Sequence, residues 1–200
     1  PLGVSGEITV QGENVMKGYF KNPAATAEAL HDGLLWTGDL GYMDKDGFLY
    51  VVGRAKAVLI AEDGEKYSPE EIEEAIITST DLIDQIMVWC DHKKYSCALV
   101  SLDTAKLQRY AAAKGLSTPQ AILDALVKEF YAFKSDTKAK KVQGAWIPGT
   151  FQIIATPFNE KDGTVNSTMK IVRYKVAEVY RELLEYSYTP EGSTTVNPRN

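Results

Sequence analysis

The chain has 200 residues, 44% of them hydrophobic, which is enough for one core of moderate size or for a domain with a smaller piece attached. A formal net charge of −5 argues against a nucleic-acid binder, which would carry a basic face, and no apolar run approaches the roughly 20 residues that span a bilayer. Cys90 and Cys97 both lie in apolar, strand-like runs and read as reduced, buried thiols of a cytoplasmic protein. The chain starts without Met, directly in a strand pattern and with no basic-apolar leader, and so reads as a piece of something larger.

In chain order, residues 7–11 alternate as a short strand. Residues 22–33 suggest a helix with Asn22 as N-cap, Pro23 in the first turn and Gly33 as the stop. A hairpin follows across Asp46-Gly47, and its second strand, from Phe48 to Val52, is apolar on both faces. Ser68-Pro69-Glu70-Glu71 opens a helix with a capping box, and Ile72, Ala75 and Ile76 face a core. The acidic run Glu70, Glu71, Glu73, Glu74 reads as a solvated helix start favoured by the helix dipole.

Residues 83–90 and 95–102 are expected strands joined by a polar turn, DHKK. Helices at 104–115 and 118–134, a basic connection at 135–144 and a strand within 149–158 follow. The last helix is expected over 171–186, with Val172, Val176, Val179, Leu183 and Ser187 on its inner side, and residues 189–200 form a polar tail expected to be disordered. The organisation is therefore a β-rich segment, 1–55, followed by an α+β domain, 56–188, and the tail.

Three stretches carry candidate chemistry. Asp39 stands between two glycines in WTGDLG, where a carboxylate could accept both hydroxyls of a ribose, or simply close a turn. Arg54 ends an apolar strand, placed either to grip phosphate or ribose oxygens or to be solvated there. Lys170, in NSTMKIVRYK, could bring a point charge to a developing negative charge, or be one surface lysine among several. His31 and His92 are isolated from each other and from cysteine, so no metal site is expected.

In combination these stretches resemble the C-terminal part of the adenylate-forming superfamily: acyl-CoA synthetases, luciferases and peptide-synthetase adenylation domains. GEITVQGENVMKGYFKNPAATAEAL and DGLLWTGDLGYMDKDGFLYVVGR are similar to the end of that family's large domain, KYSPEEIEEAI to the opening of its small domain, and STMKIVRYK to its lysine motif. The form of the lysine motif is most like that of AMP-forming long-chain fatty acyl-CoA synthetases.

The resemblance implies a small mobile C-terminal α+β domain preceded by a β-rich remnant of the large N-terminal domain. It implies nucleotide contacts from Thr37, Asp39 and Arg54, a hinge at Lys56, and a pantetheine-tunnel loop made by Gly64, Glu65 and Lys66. Lys170 would act in carboxylate activation. ATP, Mg²⁺, CoA and a fatty acid are the implied substrates and cofactors of a parent ligase, and the missing large domain is the implied partner. Membrane contact would be at most peripheral, oligomerisation is left open, and the piece alone is expected to be inactive. Transfer to a carrier protein instead of CoA, or a non-catalytic binding module, remain alternatives. Departures from the pattern are Ala57 after the hinge, Met169 where the family often has Gly, and the long segment 103–149, where Trp146 and Ile147 would either touch a membrane or pack.

Overall fold

The computed structural model describes residues 2–135, 142 and 144–194. The chain divides into two compact units, Pro1–Val58 and Leu59–Asn200.

The first unit is a four-stranded antiparallel sheet. Its strands are β1 (Gly6–Val10), β2 (Leu30–His31), β3 (Leu34–Met43) and β4 (Leu49–Arg54), with the helix α1 (Pro23–Ala29) between β1 and β2. The long β3 pairs with each of the other three, so it sets the frame of the sheet. Asn22 caps α1 through its side-chain oxygen, which accepts from the Ala25 N–H at 3.0 Å. Gly33 does not stop that helix as expected. Asp32 and Gly33 both have positive φ, 55° and 74°, and form the two-residue turn of a hairpin in which Leu30 pairs with Leu35 and His31 with Leu34. Two such residues suit the right-handed twist of a tight hairpin, so pairing takes over the end of a short helix. At the β3–β4 turn, the Asp44 carboxylate accepts from the Asp46 and Phe48 N–H groups at 2.9 Å each. The strand that is apolar on both faces leaves Phe48, Leu49, Tyr50 and Val51 exposed in this unit.

The second unit is built on a three-stranded sheet, β7 (Ile83–Trp89), β9 (Cys97–Leu102) and β10 (Thr150–Ile153), in which β9 is central, antiparallel to β7 and parallel to β10. The period of two along a strand divides its side chains between two cores. Ile86, Val88, Ala98, Val100 and Phe151 pack with Ile72, Ile76, Leu126, Phe130 and Phe133 on one face. Met87, Cys97 and Leu99 pack with Ile154, Phe158, Val165, Val176 and Leu184 on the other. The first face is covered by α2 (Pro69–Ser79), α4 (Pro119–Phe130) and the turn Ala132–Ser135, and the second by α5 (Arg173–Val179) and α6 (Arg181–Tyr186). Ile72 and Ile76 on α2 are fully buried, each stabilising by about 1.5–3 kcal/mol. Asp103 caps α3 (Thr104–Lys114) by accepting from the Lys106 N–H at 3.0 Å, and Gly115 ends it in the left-handed conformation. No helix among the described residues is long and apolar enough to cross a membrane.

Several expected features differ. The polar DHKK segment is not only a turn: Asp91–Lys93 forms β8, which pairs in parallel with β5 (Leu59–Ala61), itself paired with β6 (Lys66–Tyr67). Ser68 makes no side-chain cap at α2, because its hydroxyl donates instead to the Glu70 carboxylate at 2.5 Å. The expected last helix is broken at Tyr180, whose hydroxyl donates to the Thr156 carbonyl at 2.9 Å and whose ring meets Phe158 edge-on. That anchor turns the second half of the helix, so Leu184 is buried while Val179 is exposed. The described part of the tail, residues 189–194, is docked on the second unit. The Gly192 carbonyl accepts from the Thr150 hydroxyl at 3.0 Å and the Gln152 amide at 3.2 Å, two polar side chains of β10 that need a partner because they are buried. Residues 195–200, and 136–141 and 143 of the basic connection, lie outside the described residues. Trp146 packs against the core and stacks on Tyr67 with ring centroids 5.2 Å apart, and Ile147 packs on the same cluster.

Candidate functional site

In the first unit, the sheet register brings Thr37, Asp39 and Arg54 together. Asp39 on β3 is directly opposite Arg54 on β4, and the Arg54 Nε lies 3.1 Å from the Asp39 Oδ1. The carboxylate is about one-third exposed and the guanidinium mostly exposed, so the pair is accessible and contributes little to stability. Gly38, in mid-strand, has φ +74°, which a residue with a Cβ rarely adopts, and its N–H donates to the Glu7 carboxylate at 2.9 Å. The Thr37 hydroxyl donates to the Ile8 carbonyl at 2.8 Å and accepts from the Asp39 N–H at 3.1 Å. β1 thus braces the strand on both sides of the left-handed glycine and fixes where Asp39 leaves it. A groove of about 420 Å³ in the same unit is lined by Glu7, Tyr19, Trp36, Thr37, Gly38 and Arg54 among others. Glu7 was not expected from the sequence; it lies in the GEITV strand with no local signal of its own.

Lys56 is in the short 3₁₀ turn Ala55–Ala57, between Arg54 and Val58, both extended. A single turn between two extended residues leaves the backbone few hydrogen bonds of its own.

In the second unit, Gly64 and Glu65 lie in the turn of the β5–β6 hairpin, and Lys66 is the first residue of β6, opposite Ile60. Gly64 takes φ +84°, its N–H donates to the Ala61 carbonyl at 3.0 Å, and the Ala61 N–H donates to the Glu65 carbonyl at 2.9 Å. The Asp63 carboxylate accepts from the Glu65 N–H at 3.0 Å, and the Glu62 N–H donates to the Lys93 carbonyl at 3.1 Å, tying the tip to β8.

Lys170 is exposed and closes a tight turn. The Asn166 side-chain oxygen accepts from the Thr168 N–H, the Thr168 hydroxyl and the Lys170 N–H at 2.8–3.0 Å, while the Asn166 N–H donates to the Lys170 carbonyl at 3.0 Å. A bridge between Val165 and Ile171 and a bond from the Val172 N–H to the Thr164 carbonyl (2.8 Å) close the stem. Met169, before the lysine, has φ +61°.

The sequence reading missed what lies at the root of that turn. Glu73 is not a solvated residue of an acidic run. Its carboxylate grips Arg173 in a fork, with Nη1–Oε1 2.8 Å and Nη2–Oε2 2.6 Å. The Glu73 Oε1 also accepts from the Val88 N–H at 2.6 Å, and Arg173 Nη1 donates to the Val88 carbonyl at 3.0 Å. Side-chain exposure is only 12% for Glu73 and 16% for Arg173. Burial pushes the Glu73 carboxyl up, against the opposing pull of the Arg173 guanidinium and the Val88 N–H. The sequence signal was the helical spacing: Glu73 follows Ile72 and precedes Ile76 by three, so it borders the buried face of α2.

Residues 56–191 match the model of the AMP-binding enzyme C-terminal domain. The fadD11 protein of Mycobacterium tuberculosis is 36% identical over 194 residues, covering 95% of this chain and 34% of the relative. The long-chain-fatty-acid–CoA ligase FadD15 of the same species is 31% identical over 190 residues, 93% of this chain and 32% of the relative. Among solved structures, the A-PCP didomain of carboxylic acid reductase from Segniliparus rugosus, in complex with AMP, covers 92% of this chain and 25% of that one at 28% identity and a TM-score of 0.76. The chain therefore belongs to the AMP-binding enzyme C-terminal domain family, an α+β fold of the adenylate-forming enzymes. It spans about a third of the length of the curated relatives it matches.

Proposed function

We propose that this chain is the C-terminal portion of an AMP-forming ligase that activates a long-chain fatty acid with ATP and transfers it to CoA. The observation that carries the reading is that one chain has both an accessible Asp39 beside Arg54 in its first unit and an exposed Lys170 on a closed turn in its second, and that its relatives include CoA ligases. In the first half-reaction a carboxylate oxygen attacks the α-phosphorus of ATP, and the bond to the β-phosphate oxygen breaks, releasing pyrophosphate. Negative charge grows on the phosphate oxygens as this happens, and a lysine held nearby stabilises it.

Asp39 has two acceptor oxygens, the number that a cis-diol requires, and would hold the ribose hydroxyls with Thr37 and Arg54 at the edge of the nucleotide. Mg²⁺ would accompany the ATP phosphates and offset their charge; no residue of this chain is assigned to it. In the second half-reaction the thiol of CoA, after losing its proton, attacks the acyl carbonyl, and the bond to AMP breaks. Gly64, Glu65 and Lys66 would form one wall of the pantetheine path, presented by rotation about Lys56. One hinge serving two half-reactions accounts for candidate residues on both sides of it. The ligase would work in the cytoplasm, and activity would require a large N-terminal domain in addition to this chain.

A second reading is favoured by the solved structures. One of the solved structures like this chain is the A-PCP didomain of a carboxylic acid reductase, in which a carrier domain stands beside the adenylation domain. A carrier-protein thiol would then take the place of CoA. The test uses the full-length protein carrying this chain. Pyrophosphate release from fatty acid and ATP should fall at least 100-fold in Lys170→Ala, whereas preformed acyl-adenylate and CoA should still give thioester. Wild-type pyrophosphate release by Lys170→Ala would refute the role of the lysine. Release without any thioester formed from CoA would favour the carrier reading.

A further inference from the structure

We propose that Glu73 and Arg173 are positioning residues for Lys170. Their buried fork fixes the root of the lysine turn onto α2 and β7, so that Lys170 is delivered with its domain as one body. The inference rests on the role of Lys170 proposed above.

Arg173 is three residues from Lys170 and begins α5. On one side of it the turn is closed by Asn166 and by the Thr164–Val172 bond. On the other side the guanidinium enters the gap between α2 and β7 and makes three hydrogen bonds there, two to Glu73 and one to the Val88 carbonyl. The Val88 N–H completes the ring by donating to Glu73. Glu70 lies at the edge, 3.9 Å from the same guanidinium.

A pair this buried is a poor way to gain stability, since apolar side chains of equal volume often do as well or better. What the planar fork supplies is orientation: two parallel bonds fix Arg173 in direction as well as distance. The strain in the turn points the same way. Met169 is held at φ +61°, a conformation costly for a side chain with a Cβ, although it is 72% exposed and so gains little from packing. Such a turn keeps its shape only if both ends are held. Charge stabilisation of a transition state is sensitive to placement, and an error of about 1 Å can cost roughly 100-fold.

The experiment uses the full-length protein and the variant Arg173→Lys, which keeps a positive charge beside Glu73 but loses the fork, with Glu73→Gln as the second variant. We expect pyrophosphate release to fall roughly 10–100-fold in kcat with little change in the KM for ATP. Conversion of preformed acyl-adenylate and CoA to thioester should remain within about twofold of wild type, a readout that general damage to the domain would lower as well. In a Lys170→Ala background the same variants should have almost no further effect on pyrophosphate release. Backbone amide exchange should quicken at residues 166–171 while β7 and β9 stay protected.

Equal loss in both half-reactions, or the same loss in the Lys170→Ala background, would make the pair a general scaffold and overturn the proposal. Unchanged exchange at 166–171 would overturn it too. Wild-type activation by Lys170→Ala would instead overturn the role of the lysine, and with it the need to position it.

Discussion

Replacing Arg173 with Met isolates the energetics of the buried pair. Methionine fills much of the same path without charge and leaves the Glu73 carboxylate, 12% exposed, with only the Val88 N–H as a partner. Removing one member of a buried pair typically costs about 3–5 kcal/mol, because the remaining charge is uncompensated. With a urea slope of about 2 kcal/mol per molar, the midpoint should fall by about 2 M at pH 7. The cost should also depend on pH in a definite direction. Burial already pushes the Glu73 carboxyl above its ordinary value of 4.5, and Arg173 opposes that push. Without Arg173 the folded-state value rises further, so the protonated form is favoured in the folded state. The variant is then most stable below the unfolded value of 4.5 and loses stability as pH rises through the raised folded value. Its deficit relative to wild type should therefore shrink between pH 7 and pH 4.5. The double variant Glu73→Gln/Arg173→Met, with no charge left to bury, should recover most of the loss. Trp89 and Trp146, both in the second unit, provide the fluorescence signal. A cost below about 1 kcal/mol, or one equal at pH 7 and pH 4.5, would refute the reasoning.

Two further outcomes test other parts of the fold. A Cβ added at Gly41 would lie 2.5 Å from the Tyr50 carbonyl and 2.8 Å from the Ile8 side chain, so Gly41→Ala should force β3 and β4 apart at a cost of about 1–3 kcal/mol. Faster amide exchange in β3 and β4 would register this, and unchanged protection would contradict it. Cys97 is fully buried and its thiol is pushed up to about 11 by burial, so an aromatic disulfide reagent at pH 8 should modify it only as fast as the chain unfolds. Rapid modification of Cys97 in the absence of denaturant would show that the core over β9 opens locally.

The contrast between Glu73 and Asp39 shows what the sequence could and could not make legible. Asp39 could be singled out as a candidate from its local setting, a glycine-flanked position in a strand pattern, but only the combined resemblance of the three stretches chose between a ribose contact and a turn. The structure adds that Gly38 takes φ +74° and that Arg54 lies opposite. The cap of α1 at Asn22 and the existence of the strands of the second unit were legible in the same local way, while the division of those strands' side chains between two cores appears only in the fold. Glu73 is separated from Arg173 by 100 residues, and its neighbours Glu70, Glu71 and Glu74 gave it the look of a solvated helix start. Helical spacing puts Glu73 at the border of the buried face of α2, but nothing within α2 reveals the cation that permits its burial, because α5 supplies it. The break at Tyr180 and the docking of Gly192 were hidden for the same reason, each depending on partners about 24 and 40 residues away. Local chemistry therefore offers candidates for the groups proposed to meet substrate, and the combined motifs choose among them. The contacts that hold Lys170 in place are long-range, and they became visible only when α2, β7 and α5 were packed together.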